Sequence, residues 1–230
     1  MADANTGNKL VMLLALGGLL SGLLTSVLTL GAQEAPTFSG IILGSAIAGC
    51  LAISGVVPSG WKAFGMIAVT TAAYLFSFAV AFGVQMTYCQ IVPNAERWNN
   101  CTNEPASPIA LFFGGCAGGF LMLGAVAFFF RPGLNQGTLA MTALLGAVLG
   151  GALGVAGWAL RSAVGVPVWH LLHALHLTPI WGQHPPQWWF HDEYDYGTSS
   201  RVYSLYVVWQ TGIALAAGIL LRPIAKIDNE

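Results

Sequence analysis

Charge is what this chain has least of. Lys, Arg, Asp and Glu together make up 7% of its 230 residues, against about 25% in ordinary water-soluble domains. A chain so poor in charge cannot clothe a soluble fold of this size. The formal net charge of −1 supplies no basic surface, which excludes nucleic acid as a partner. Motifs of catalysis are also missing. There is no G-x-S-x-G, phosphate-binding loop, dinucleotide fingerprint or H-E-x-x-H, and no C-x-x-C redox or zinc pair.

Apolar residues are what the chain has in plenty, at 56% with a mean hydropathy of +0.69. The bilayer must be the solvent for most of it. Six runs are long enough to cross a hydrocarbon core about 30 Å thick: 10–30, 39–57, 63–84, 107–130, 137–157 and 203–222. They are continuous rather than alternating, which predicts helices and not a barrel. None carries Asp, Glu, Lys, Arg or His in its interior. The expected fold is all-α: one polytopic membrane domain over 1–230, six transmembrane helices in three hairpins.

With the N-terminus cytoplasmic, Lys9, Lys62, Arg131, Arg222 and Lys226 fall inside, and Arg97, Arg161 and Arg201 outside. That bias puts both termini in the cytoplasm. A bacterial inner membrane is the default location, since no organellar sorting signal is visible. Lys9 ahead of the first run and Gly31-Ala32 behind it also fit a signal peptide. The run exceeds the usual apolar stretch of about 7–15 residues, which favours a retained span.

Each hairpin returns to a proline: Pro58, Pro132 and Pro223. The segments 10–24 and 139–153 align without a gap, pairing Gly17 with Gly146 and Gly22 with Gly151. A duplicated, pseudosymmetric bundle would produce this, and so would the shared composition of membrane helices. Gly146, Gly150 and Gly154 recur every four residues, as do Gly114/Gly118 and Gly115/Gly119. Such spacing puts glycines on one helix face, where backbones approach closely. Tight packing of these two helices, on each other or on a partner, is expected.

Two outer loops hold the remaining chemistry. Cys89 and Cys101 both fall in loop 85–106, and an oxidising compartment would join them. Cys50 and Cys116 lie inside spans and read as small core residues. Asn100-Cys101-Thr102 fits a glycosylation acceptor, relevant only in a glycosylating pathway.

Loop 158–202 contains every histidine in the chain and is too long for a mere connector. A helix is expected from Pro167 to Pro179. Val168, Leu171, Leu172 and Leu175 fall on one face, and Trp169, His170, His173 and His176 on the other. That amphipathic helix would lie in the membrane interface. The rest, through Pro185-Pro186 to Asp192, Glu193 and Asp195, reads as loop. Much of the pattern follows from costs. Histidine is excluded from lipid, and Trp158, Trp169, Trp181, Trp188 and Trp189 suit the headgroup region. The sharper alternative is a metal site. His170 and His173, one turn apart, would be joined by His184, His191, Asp192 or Glu193, a donor set for zinc, copper or iron. A tetrapyrrole bound through one of these histidines is a further alternative. His191, Asp192, Glu193, Tyr194 and Tyr196 would do acid–base work only if buried.

Three functions are therefore carried forward. The first is a non-catalytic membrane subunit that packs in a larger assembly, or self-associates, and offers its aromatic outer loop to partners or cofactors. The second is an outer-face metal or redox protein. The third is a passive pore for a neutral solute, lined by Thr70, Thr71, Tyr74, Ser77, Gln85 and Gln210. The lack of intramembrane carboxylates argues against an ion-driven carrier.

Overall fold

The computed structural model describes residues 4–29, 35–55, 60–91, 107–131, 133–175, 177 and 192–222. Among these every element is helical. The order is α1 (Ala4–Thr29), α2 (Ala35–Ile53), α3 (Gly60–Ile91), α4 (Pro108–Phe130), α5 (Gln136–Ala159), a π-helical turn (Arg161–Gly165), α6 (Val166–Ala174) and α7 (Asp192–Leu221).

Five of these helices, α1, α3, α4, α5 and α7, are long and apolar enough to cross a membrane. That is compatible with an integral membrane protein. The run expected over 39–57 is shorter than foreseen. Its apolar part covers only Thr37–Ile53. The chain turns at Ser54-Gly55, where Gly55 takes φ +82° and its N–H bonds to the Ala52 carbonyl at 3.1 Å. Only glycine adopts that conformation cheaply, so the helix stops there.

Local chemistry sets the other ends. Ser107 caps α4 by accepting from the Ala110 N–H at 3.2 Å, with Pro108 at the first helical position. Asn135 caps α5 by accepting from the Thr138 N–H at 2.8 Å. Both are residue types favoured there because their side chains satisfy orphan backbone donors. Past Leu160 the helix widens, and the Val166 N–H reaches back five residues to the Arg161 carbonyl. Pro167 follows this turn directly and has no N–H to give the Ala163 carbonyl.

The helices pack as a closed ring. Each of α1 to α5 touches the next, and α7 closes the circle by lying against both α5 and α1, while also meeting α4. Glycines set the closest approaches. A Cβ at Gly115 would lie 2.2 Å from the Gly150 carbonyl oxygen, and one at Gly119 would lie 2.1 Å from that of Gly146. Thus α4 and α5 touch backbone to backbone. Gly154 faces the Leu111 carbonyl, Gly114 packs on Ala81 and Ser77 of α3, and Gly118 on Trp209 and Ser77. Along the other seam, Gly18 and Gly22 of α1 meet the backbone of α7 at Gln210 and Val207. Leu14, Ile47, Met66, Met122, Val126 and Ile213 fill the centre.

Two helices exceed expectation. α3 covers 32 residues and α7 covers 30, or about 45–48 Å each at 1.5 Å per residue. Both overshoot at the same face, which carries the long connections 92–106 and 178–191. The Ser107 N–H donates to Gln85 Oε1 at 2.8 Å, so α3 runs on past the start of α4. Gly157 near the end of α5 faces Leu205, leaving about 20 Å of α7 beyond that level. Residues 192–202 are therefore helix, not the loop expected.

Candidate functional site

Two regions compete for chemistry: the loop face and the bundle interior. At the loop face, α6 places His170 and His173 on one short helix. His170 is exposed, edge-on to Trp169 with ring centroids 5.1 Å apart. Of the leucine face, Leu172 is buried at 6% exposure, while Leu171 and Leu175 are 50% and 55% exposed. So α6 is anchored on the bundle by one leucine and the others face outward. His176, His184 and His191 lie outside the described residues, as do the side chains of His173, Asp192 and Glu193. Among the described residues no cluster of three His, Cys, Asp or Glu side chains forms. Cys89 lies in the last turns of α3, and Cys101 lies outside the described residues. Cys50 and Cys116 are free thiols.

The interior is where polar side chains converge. Gln210 of α7 is fully buried, and Ser21 and Thr25 of α1 are buried with it. Ser21 donates to Gln210 Oε1, and Gln210 Nε2 donates to Thr25 Oγ1 at 3.1 Å. Close by, Tyr74 of α3 and Trp209 of α7 meet edge to face, centroids 5.3 Å apart. Ser77, one turn beyond Tyr74, donates across to the Gly114 carbonyl of α4 at 2.6 Å. The cluster thus ties α1, α3, α4 and α7 together without a single charge.

Five of the six side chains considered for a pore make hydrogen bonds within the bundle. Thr70 bonds back to the Met66 and Ile67 carbonyls and Thr71 to that of Ile67. Gln85 holds Ser107, and Ser77 and Gln210 join helices. The sixth, Tyr74, has a buried hydroxyl that makes no hydrogen bond in the protein. A shallow groove of about 520 Å³ lies between α1 and α2, lined mainly by Leu20, Leu24, Ile41 and Ile53 with small residues such as Ser45 and Gly49. Its lining has the chemistry of a lipid-facing surface.

The sequence singled out Gln210 and Tyr74 only as pore candidates. It did not reveal their pairing with Ser21, Thr25 and Trp209. One signal was available, since Ser21 and Thr25 share an α1 face at four-residue spacing, as do Tyr206 and Gln210 on α7. Comparison with known proteins returned no match, whether to a protein-family model, a curated protein or a solved structure.

Proposed function

We propose that this chain is a non-catalytic integral membrane subunit that docks partner subunits on its loop face. In this reading α2 is the sixth span, both termini are cytoplasmic and the membrane is a bacterial inner membrane. A Cys89–Cys101 bridge ties the end of α3 to the loop beyond it. The observation that carries the reading is the one-sided overshoot of α3 and α7. A protein that only needed to span the bilayer would gain nothing from three extra helical turns on one face. Beside those turns stands α6, and the chain between carries Trp181, Trp188 and Trp189, residues favoured at interface cores. The transmembrane body is glycine-locked, which suits a scaffold better than a moving carrier.

The test is replacement of Trp188 and Trp189 by alanine in the tagged protein, extracted in mild detergent. Partner chains co-purify at fixed stoichiometry with the parent and are lost from the variant, while the thermal midpoint of the bundle stays within about 2 °C, as for a surface change away from the core. Equal recovery of partners by both proteins, or of none by the parent, contradicts the reading.

A second reading rests on α6, which holds His170 and His173 three positions apart on one helix. With a carboxylate or histidine from 184–193 they would bind zinc, copper or iron. Replacing both by alanine would then abolish metal content with the fold intact. Unchanged metal content removes these ligands.

A further inference from the structure

Among the described residues several buried polar groups make no hydrogen bond, the Ser204 and Thr211 hydroxyls included, and two of these groups belong to rings in contact with each other. The Tyr74 hydroxyl and the Trp209 indole N–H are both buried, and neither has a hydrogen-bond partner in the protein. Trp209 is only 6% exposed. In a bundle surrounded by hydrocarbon no bulk water can reach such groups from the side, and an unmet donor there is costly. Buried polar groups in native proteins nearly always find a partner.

Acceptors with spare capacity lie around them. An amide side chain has two donor and two acceptor positions. Gln210 uses one of each, toward Thr25 and Ser21. It lies close to the Tyr74 phenol, yet outside hydrogen-bonding geometry. Next to the indole, a Cβ at Gly118 would be 2.9 Å from Trp209 Cζ2 and 3.3 Å from Ser77 Oγ. Cζ2 belongs to the indole edge that carries the N–H, so Ser77 sits beside that edge. Ser77 donates its own proton to the Gly114 carbonyl, which leaves its lone pairs free to accept.

We propose that Tyr74, Trp209, Ser77 and Gln210 hold a water molecule between α3, α4 and α7. Its oxygen accepts from the phenol and the indole, and its protons go to Ser77 Oγ and Gln210 Oε1. Buried waters typically make about three such bonds. A direct Tyr74–Gln210 bond would leave the indole unmet, so a bridging molecule accounts for both orphans where a side-chain adjustment accounts for one. The set contains no ionisable carboxylate, lysine or histidine, which fits a neutral ligand and not an ion. This inference does not depend on the docking role.

The experiment is water-edited solid-state NMR of the full chain in lipid bilayers, with the tryptophan indoles labelled with ¹⁵N. Trp209→Phe assigns the peak; if that variant does not fold, the indole peak most shifted by Tyr74→Phe does so. Tyr74→Phe keeps the ring contact and removes one holding bond. The expected result is magnetisation transfer from water to the Trp209 indole as fast as to headgroup-level tryptophans, slowed several-fold by Tyr74→Phe. Slow build-up in the parent overturns the proposal, and so does a transfer rate that Tyr74→Phe leaves unchanged.

Discussion

At the scale of single residues, the bundle is held by absences of side chain as much as by their presence. Gly150 has the Gly119 Cα at 2.9 Å and the Gly115 carbonyl oxygen at 2.2 Å from where its Cβ would be. Backbone cannot step aside as a rotamer can. Gly150→Val is expected to cost roughly 2–4 kcal/mol, read as a lower thermal midpoint in detergent. Gly49 provides the control, since its Cβ would meet nothing within 4 Å, and Gly49→Ala in the interior of α2 should not lower the midpoint. Gln210→Leu removes both bonds that join α7 to Ser21 and Thr25. Interhelical hydrogen bonds in membranes average below about 1 kcal/mol each, so the expected loss is about 1 kcal/mol and the fold survives. The four-residue spacing of Gly146, Gly150 and Gly154 is plain in the sequence. That Gly118 would pack under Trp209 is not, because nothing in one helix's sequence names its neighbour.

Among elements, hydropathy located the helices well and their ends poorly. An apolar window sees the part of a helix that meets lipid, and α3 and α7 continue beyond it into polar sequence. The first three turns of α7 read as loop because they contain Tyr194, Tyr196, Gly197 and three acids. Yet acids in a first turn stabilise a helix start, about 0.3–1 kcal/mol each at exposed positions. Changing Asp192, Glu193 and Asp195 to their amides should therefore fray α7 from that end. Amide hydrogen exchange should quicken over residues 194–200 and stay as it was over 205–221. Uniform exchange along the helix in both proteins would show that the acids do not set its start. The opposite error occurred in α2, where the apolar string runs to Val57 but a left-handed glycine at Gly55 ends the helix.

On the scale of the whole molecule, a closed ring of helices with no charged side chain in its core carries a one-sided extension of α3 and α7. Composition made the long apolar helices legible, because 7% charge leaves their runs uninterrupted, and five of them are long and apolar enough to cross a membrane. The ring itself was not legible, since α7 closing onto both α1 and α5 is a long-range contact with no local signature. Nor was the extension, which depends on the register of α3 against α4 and of α5 against α7. The central claim is that the extension is occupied by partner chains. A native mass spectrum of the intact protein, extracted in mild detergent from its own membrane, tests this most directly. The expected mass is that of this chain plus other polypeptides in fixed ratio. A spectrum showing only the bare monomer would contradict it.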